Sequence, residues 1–472
     1  MTMNNDLVFT PIRQLAELLK SRQISPMQLS EIFLDRLEQR GPSYNALTTL
    51  TRERASRQAE QAEREISAGD YKGPLHGIPW GAKDLLATSD GIPTSWGAAP
   101  LKDQTFDFDA TVVRRLEEAG AVLAGKLAMI ELAGGMGYRQ PTATFTGPPR
   151  NPWNRETWTG GSSAGSGAAV AAGLVPFAIG SETWGSILSP ANNCGLAGLR
   201  PTYGRVSRYG AMALCWTLDK LGPLGLTADD CGLVLEAIAG PDPDDPTAAD
   251  MTFAYDDSPT EGRRFKIGVL KDVADGAEEP VRENFEKALA AISEVADVEE
   301  MEFPDYPYVA AIRTILNVES AAAFEDFIEE GTAAELTAPE DHYGPYARTS
   351  VLATDYVKAL RIRGVMSREV DGVMSKYDAI AAPTSPRVAS PIDEEFRKAS
   401  PSPGPGDLMG AIGNGCGLPS ISVPSGFSDA GLPTGIQFMG RPYQENTILA
   451  IARAYQAMTA WHTRHPEDAL EG

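Results

Sequence analysis

Two loops rich in glycine and serine hold the residues best suited to attack a carbonyl group. The first, residues 160–166, reads Gly-Gly-Ser-Ser-Ala-Gly-Ser, and the second, residues 180–186, reads Gly-Ser-Glu-Thr-Trp-Gly-Ser. Glycine lets backbone N–H groups approach a ligand atom closely, and a serine hydroxyl placed there can act as a nucleophile. Either loop alone is also typical of an ordinary turn. The pair, separated by one predicted helix and one predicted strand, indicates a hydrolase.

Few side chains in this sequence could act as the base that accepts the proton of such a nucleophile. The chain has four histidines, and three of them lie in polar segments that predict exposure, so a serine–histidine pair has few candidates. Lys83 follows the apolar segment 77–82, and lysine is rarely buried without a reason. On position alone, Lys83 could pair with Asp84 or extend its amine to solvent. A serine–lysine arrangement is the remaining interpretation.

Longer segments around these residues resemble the signature of a known enzyme family. Residues 160–166, Gly-Ser-Glu-Thr-Trp-Gly-Ser-Ile-Leu at 180–188 and Cys-Gly-Leu-Ala-Gly-Leu-Arg-Pro-Thr-Tyr-Gly-Arg at 194–205 follow one another at the spacing of the amidase signature family. Upstream, Pro-Leu-His-Gly-Ile-Pro-Trp-Gly-Ala-Lys-Asp-Leu at 74–85 is similar to the family as well. The resemblance continues almost to the end of the chain, and it implies the fold and activity of an amidase.

The resemblance implies nucleophilic catalysis and gives a role to each of three residues. Ser186 attacks the carbonyl carbon, Ser162 relays the proton, and Lys83 in its neutral form accepts it. Family members also have a cis peptide bond before the relay serine, here between Gly161 and Ser162. A lysine serves as a base near neutral pH only if its pKa falls by roughly 3 units on burial. The implied oxyanion hole consists of four backbone N–H groups, those of Thr183, Trp184, Gly185 and Ser186.

The second loop departs from the family pattern at three positions. The family has Asp and Arg at the positions of Glu182 and Leu188, so its usual Asp–Arg ion pair is not expected to form. Trp184 stands where the family has glycine. If its ring points into the cleft, the acyl pocket becomes smaller; if it points outward, the ring packs where the arginine would lie. Because the catalytic residues are retained, these departures affect the choice of substrate more than the reaction.

The family contains hydrolases of several substrate classes, and six residues are candidates for substrate contacts. They are Gly135 and Met136 in a glycine-rich loop, Ser163, Trp184, Arg363 and Asp407. Arg363 and Asp407 fall where one member, the A subunit of the glutamine-dependent aminoacyl-tRNA amidotransferase, holds the carboxylate and amino group of glutamine. Alternatively, Arg363 is a helix-surface residue and Asp407 caps a helix. We expect a stand-alone amidase acting on a small or aryl amide, with the glutamine-hydrolysing subunit or a carbamate or ester hydrolase as alternatives.

Two other catalytic motifs fit this region less well. Residues 161–165 match G-x-S-x-G, in which Ser163 would be the nucleophile on a strand-to-helix turn. Residues 151–159, however, do not predict the strand that must precede such a turn. A phosphate-binding loop requires Gly-Lys-Ser/Thr after its glycines, and this tripeptide does not follow.

Composition limits the partners of the chain. A net charge of −23 argues against binding nucleic acid or an anionic membrane through a basic surface. The four cysteines are scattered without metal-ligand spacing, so we expect them to be reduced. Because the sequence has neither a signal-peptide pattern nor an apolar run of about 18 residues, we expect a cytoplasmic protein. We expect a monomer or homodimer that acts on a small-molecule amide without a cofactor or metal.

Hydrophobic periodicity predicts an α/β protein in which strands alternate with amphipathic helices. Strands are predicted near 47–50, 77–83, 121–125, 175–179, 265–270, 378–385, 420–424 and 434–439, and helices near 52–68, 111–119, 228–240, 280–297 and 445–460. The resemblance implies the amidase signature fold, with a central mixed twisted β-sheet covered on both faces by helices. We expect one domain over 1–472, with a signature core at about 70–240, a linker at about 241–264 and a variable helical lid at about 306–370.

Overall fold

A mixed β-sheet of 11 strands forms the centre of the protein. The computed structural model describes residues 7–399 and 407–470. The strands are β1 (Leu47–Leu50), β2 (Pro79–Lys83), β3 (Val122–Leu127), β4 (Arg150–Asn151), β5 (Asn154–Trp158), β6 (Phe177–Glu182), β7 (Ala197–Arg200), β8 (Lys220–Gly225), β9 (Phe265–Leu270), β10 (Ala296–Met301), β11 (Ala379–Pro383), β12 (Ser420–Phe427) and β13 (Pro433–Met439). Strands β4 and β5 form a separate hairpin, and the others lie in the order β1-β3-β2-β6-β8-β7-β12-β13-β11-β9-β10.

Helices flank this sheet along most of the chain. They are α1 (Ile12–Lys20), α2 (Pro26–Tyr44), α3 (Arg52–Ala68), α4 (Thr111–Glu118), α5 (Ala164–Ala171), α6 (Leu188–Cys194), α7 (Ala228–Ile238), α8 (Glu279–Ile292), α9 (Tyr308–Ala323), α10 (Glu325–Glu329), α11 (Gly344–Arg348), α12 (Ala353–Met374), α13 (Phe396–Ala399), α14 (Leu408–Gly415), α15 (Glu445–Met458) and α16 (Glu467–Leu470). Short 3₁₀ turns lie at Ala99–Leu101, Glu131–Gly134, Thr332–Glu335, Pro339–His342 and Trp461–Thr463. Among the described residues, no helix is long and apolar enough to cross a membrane.

Helices cover both faces of the sheet, as the family resemblance implies. Every residue of β2, β3, β6 and β8 is buried. Successive side chains of a strand point to opposite faces, and those of β6 enter two separate apolar clusters: Phe177 and Ile179 join one, and Ala178 joins the other. Such double coverage is typical of strands that read as continuous apolar runs.

The carboxyl ends of three neighbouring strands position the loops of interest. Strand β2 is parallel to both β3 and β6, so the three strands end at the same edge of the sheet. Lys83 is the last residue of β2, and Glu182 is the last residue of β6. The lysine therefore lies beside the loop that follows β6, at the edge where ligand sites are commonly found in open α/β sheets.

Most predicted elements are present, but five strands depart from the sequence-based prediction. The helix predicted over 280–297 ends at Ile292, and β10 begins at Ala296. Strand β10 reads Ala-Asp-Val-Glu-Glu-Met at the outer edge of the sheet and pairs only with β9. Because its residues are charged and partly exposed, they show no alternation of apolar and polar positions, and hydrophobic periodicity did not predict a strand there. The hairpin strands β4 and β5 and the central strands β7 and β8 were not predicted either.

The region expected to form a lid is helical, with an interruption near its middle. Helices α9 to α12 follow one another from Tyr308 to Met374, and the polar segment 338–345 contains a 3₁₀ turn. The expected linker at 241–264 contains no helix or strand. Its Asp242 is nevertheless buried and accepts a hydrogen bond from Thr111 at 2.6 Å. The division of the chain into core, linker and lid stays a prediction.

Candidate active site

Lys83 lies fully inside the protein and contacts three serine hydroxyls. Its Nζ is 2.8 Å from Ser162 Oγ, 2.9 Å from Ser163 Oγ and 2.9 Å from Ser181 Oγ. Neither simpler interpretation of Lys83 is correct. The side chain is 0% exposed, so it does not extend to solvent. Asp84 instead pairs with another buried lysine, Lys126, at 3.3 Å.

Burial lowers the pKa of Lys83 from 10.5 to about 7. The cause is the loss of water around the ammonium group, which disfavours the charged form. Asp219 and Glu182 act in the opposite direction without offsetting this effect. A substantial fraction of the lysine is therefore neutral at pH 7, and a neutral amine can accept a proton from a hydroxyl.

Glycines and a cis peptide bond shape the loop that carries Ser162. The bond between Gly161 and Ser162 is cis, as the family resemblance implies. A Cβ on Gly165 would lie 2.5 Å from the backbone oxygen of Ala128. This glycine therefore lets the start of α5 pack directly against the segment that follows β3, which brings Ser162 close to Lys83.

Ser163 connects the two loops and does not project as an isolated nucleophile. Its Oγ donates to the carbonyl of Ser181 at 3.2 Å, and the N–H of Ser181 donates back to it at 3.2 Å. Strand β5 does precede this loop, contrary to the sequence-based expectation, but it belongs to the separate hairpin. With its hydroxyl engaged by Ser181 and Lys83, Ser163 fits a structural role better than the role of a nucleophile.

Ser186 presents a hydroxyl without a partner. It lies between β6 and α6, is 9% exposed, and its Oγ makes no hydrogen bond to any described residue. The carbonyl of Ser186 accepts a hydrogen bond from the N–H of Ser163 at 3.3 Å, so the two loops are in direct contact. The hydroxyls of Ser162 and Ser186 are not hydrogen-bonded to each other here. Catalytic hydrogen bonds are often looser before substrate binds.

The loop before Ser186 offers a row of unpaired donors. Within residues 7–399 and 407–470, none of its four N–H groups donates to a protein acceptor; they belong to Thr183, Trp184, Gly185 and Ser186. Gly185 has a φ of 85°, and a Cβ added there would meet no atom within 4 Å. This positive φ requires glycine at position 185, and the space where a side chain would lie is open. These donors could stabilise an oxyanion.

A buried ion pair holds the far side of this loop. Glu182 accepts hydrogen bonds from the N–H groups of Ile187 at 2.9 Å and Leu188 at 3.0 Å, and it pairs with Arg200 at 2.8 Å. Burial alone would raise the pKa of Glu182, but Arg200 and Lys220 hold it at about 2. The Asp–Arg pair of the family is absent, as expected from Leu188. Arg200 neutralises the carboxylate instead.

Asp219 anchors the start of the loop. Its Oδ1 accepts from Thr183 Oγ1 at 2.5 Å, and its Oδ2 accepts from the N–H groups of Leu214 and Cys215, each at 2.8 Å. Sequence reasoning missed Asp219, Arg200 and Ser181. Ser181 lies in the second loop and Arg200 in the segment 194–205, so both could have been found, whereas Asp219 shows no local motif.

The residues expected to contact substrate are mostly engaged within the protein. Arg363 donates to the carbonyls of Gly415 at 2.6 Å and Thr217 at 2.9 Å, so it is not the free helix-surface residue of the alternative interpretation. Asp407 caps α14 through the N–H of Gly410 at 2.7 Å, as that alternative predicted. Gly135 lies near α11, since its carbonyl accepts from Arg348, and Met136 is 1% exposed.

A cavity of about 180 Å³ lies beside this site. Ser181 and Thr183 line its inner end, next to the hydroxyl that contacts Lys83. Its walls are largely apolar and include Leu85, Ala133, Met212, Leu214 and Leu221, beside the charged residues Arg208, Asp219, Asp244 and Asp245. Two partly exposed aromatic rings, Tyr209 and Trp216, lie at the rim. An apolar or aromatic group is the best match for this space.

The histidines do not contribute to this site. His76 is buried against Glu65 at 2.9 Å, His342 contacts the carbonyl of Leu336, and His465 stacks on Phe9. All four cysteines are free thiols, as expected. In the described part of the chain, no cluster of His, Cys, Asp and Glu has the arrangement of a metal site. Lys83 is the titratable group that contacts the serine hydroxyls of this site.

Comparison with known proteins agrees with the geometry. The amidase family model matches residues 28–449. The A subunit of glutamyl-tRNA(Gln) amidotransferase from Moorella thermoacetica is 37% identical over 98% of this chain and 99% of its own length. The structure of peptide amidase from Stenotrophomonas maltophilia superposes with a TM-score of 0.85 at 30% identity, covering 97% of this chain and 98% of that one. The A subunit of the Thermotoga maritima amidotransferase gives a TM-score of 0.76 at 31% identity, covering 95% and 94%.

Proposed function

This chain belongs to the amidase signature family and is a carbon–nitrogen hydrolase, and on that premise we propose that it cleaves its amide through an acyl-enzyme on Ser186. The observation that carries the proposal is the contact of 2.8 Å between the fully buried amine of Lys83 and Ser162 Oγ. A lysine with a pKa of about 7 can take a proton from a serine and return it. In this mechanism Lys83 is the base, Ser162 the relay and Ser186 the nucleophile.

The mechanism consists of acylation followed by deacylation. Ser186 Oγ bonds to the carbonyl carbon as its proton passes to Ser162, and the proton of Ser162 passes to Lys83. The oxyanion that forms is stabilised by the backbone N–H groups of residues 183–186, each worth on the order of 3 kcal/mol. As the C–N bond breaks, the lysine ammonium returns a proton through Ser162 to the leaving nitrogen. Water then attacks the ester, using the same relay, and releases the acid.

Two substrate classes have support from different observations. The curated relatives favour the glutamine-hydrolysing component of a tRNA-dependent amidotransferase, which would act within a larger complex, because the identity to such proteins extends over almost the full chain. The local contacts favour a stand-alone hydrolase of small or aryl amides. Arg363 and Asp407 are engaged by protein groups, and the cavity beside Thr183 is mostly apolar. The similarity to the structure of peptide amidase supports this second class as well.

The mechanism is tested by trapping the acyl-enzyme with a slow aryl ester or amide and locating the added mass by peptide mass spectrometry. We expect the acyl group on Ser186 and no turnover in Ser186→Ala. Ser189→Ala is the matched control, because it removes a hydroxyl three residues away that makes no hydrogen bond to any described residue. Acylation of another residue, or full activity in Ser186→Ala, would refute the mechanism.

The substrate classes are separated by assaying the purified chain alone with glutamine and with neutral aryl amides. A stand-alone hydrolase releases amine from the aryl amides without any partner. A glutaminase component of a complex releases ammonia from glutamine only after the partner subunits and charged tRNA are added. Turnover of carbamates or esters in the same panel would identify the third alternative.

A further inference from the structure

The loop that offers the oxyanion donors is held by hydrogen bonds at both ends, whereas no acceptor among the described residues holds the N–H groups in its middle. Thr183 Oγ1 donates to Asp219 at 2.5 Å, and the N–H of Leu188, the first residue of α6, donates to Glu182. Between these points, the carbonyl of Gly185 accepts the N–H of Ser189 at 2.8 Å, but this residue has no side chain and open space beside it. Because an oxyanion hole depends on N–H groups that are already in position, an additional constraint on the middle of the loop has catalytic value.

Trp184 provides a contact at that point. Its indole Nε1–H donates to Asp407 Oδ2 at 2.8 Å, across a sequence separation of 223 residues. The other oxygen of Asp407 accepts the N–H of Gly410 at 2.7 Å and caps α14. The ring of Trp184 is half-buried and packs against the main apolar core. One carboxylate thus joins the middle of the loop to the first turn of a helix.

We propose that Trp184 and Asp407 are positioning residues that fix the N–H groups of Trp184 and Gly185 toward the oxyanion. The carboxylate of Asp407 fixes the position of the indole, and the indole fixes the backbone of Trp184. The peptide bond between residues 184 and 185 takes its orientation from that backbone. This assignment rests on the proposed function of the loop, but it gives Asp407 a different role from a ligand for a substrate amino group. It also explains a tryptophan where the family has glycine: the side chain anchors the loop.

The two roles of Asp407 predict different kinetics. A positioning residue acts on the transition state, so its loss lowers kcat for every amide with little change in KM. A ligand for an amino group acts on one class of substrate, so its loss raises KM for amides that carry an ammonium group. Trp184→Phe retains one aromatic ring and removes the five-membered ring that carries the N–H. Asp407→Ser retains a helix-capping oxygen and is too short to reach the indole.

The experiment compares these two variants and their double mutant on a neutral and on an ammonium-bearing amide. We expect each single variant to lower kcat about 3- to 10-fold on both substrates, as for loss of one hydrogen bond to a partly exposed charged group. The double mutant should be no slower than the slower single variant, because both changes break one contact. Trp461→Phe is the control, since its indole N–H has no acceptor among the residues described. Additive losses, or a KM effect confined to the ammonium-bearing amide, would overturn the proposal.

A second measurement separates this inference from the proposed function. Amide hydrogen exchange of a peptide covering residues 180–188 reports the mobility of the loop without any turnover, through the amides of Ile187 and Leu188, which are hydrogen-bonded to Glu182. We expect faster exchange in Trp184→Phe and Asp407→Ser than in the wild type and in Trp461→Phe. Unchanged exchange contradicts the positioning role even if the enzyme is active. A wild-type protein that shows no Ser186-dependent turnover contradicts the proposed function, whatever the exchange rates are.

Discussion

Replacing Lys83 with methionine should abolish activity without weakening the fold at pH 7. The native pKa of about 7, against 10.5 for an ordinary lysine, means that burial opposes the charged form by about 5 kcal/mol at most. Methionine fills similar space without a charge to bury. It also removes three hydrogen bonds to serine hydroxyls, each worth about 1 kcal/mol. These opposing effects predict a free energy of unfolding at pH 7 that is equal to or above that of the wild type.

The pH dependence gives the sharper test. Between pH 7 and 10.5 the unfolded chain binds a proton at residue 83 that the native state does not, so wild-type stability rises with pH in this window. From pH 7 to pH 9.5 the wild type should gain about 3 kcal/mol relative to Lys83→Met. Activity should depend on the protonation of Lys83 as well, so kcat/KM should rise about tenfold per pH unit below pH 7 and level off above it.

The measurements are urea unfolding at pH 7 and 9.5 and a pH profile of kcat/KM on a neutral amide. Lys126→Met is the contrasting variant. It removes the partner of the buried Asp84 and should lower stability by about 3–5 kcal/mol, because an unpaired buried charge remains. A Lys83→Met protein that keeps activity, or a wild type whose stability relative to Lys83→Met is constant from pH 7 to 9.5, would refute the assignment of a neutral lysine base.

Three further changes test other parts of the site and of the lid. Ser162→Ala should lower kcat about 10²- to 10⁴-fold with little change in KM, measured by steady-state kinetics, because it interrupts the proton relay. Arg200→Met should lower the free energy of unfolding by about 3–5 kcal/mol in urea titrations, since it leaves Glu182 buried and unpaired. Asp341 is fully buried beside Glu131, and its pKa is raised to about 8, first by burial and then by Glu131. A raised carboxyl pKa stabilises the fold only below the pKa of the unfolded chain and costs stability as pH rises toward 8. Asp341→Asn should therefore raise the melting temperature, more at pH 8 than at pH 4.

The sequence alone predicted the strand that carries Lys83 and the two loops that surround its amine. Their signals are local: an apolar run ending in a lysine, and glycine–serine segments on either side of one helix. The resemblance added the roles of Ser162 and Ser186, which position alone left open. The cis bond before Ser162 also came from the resemblance, since nothing in the composition of residues 160–166 predicts it.

The partners of these residues could not be predicted because they come from distant parts of the chain. Arg200 is 18 residues from Glu182, Asp219 is 36 residues from Thr183, and Asp407 is 223 residues from Trp184. Each contact depends on the order and register of strands, or on how a helix end lies over the sheet edge. The interpretation of Asp84 as the partner of Lys83 failed for a related reason, because Asp84 pairs with Lys126, 42 residues further along the chain.

The arrangement of carboxylates explains why the lysine remains neutral beside acidic residues. Glu182 is neutralised by Arg200 and by two backbone N–H groups, and Asp219 is hydrogen-bonded to Thr183 and to two more. Neither carboxylate is within hydrogen-bonding distance of Lys83, whose three contacts are hydroxyls. The two carboxylates therefore orient the loop through their hydrogen bonds, whereas the pKa of Lys83 is lowered mainly by its burial away from water. A carboxylate in contact with Lys83 would raise the pKa of the lysine and keep it charged, so that it could not accept a proton. The acidic residues that hydrogen-bond to the loop 180–186 must therefore lie away from the amine.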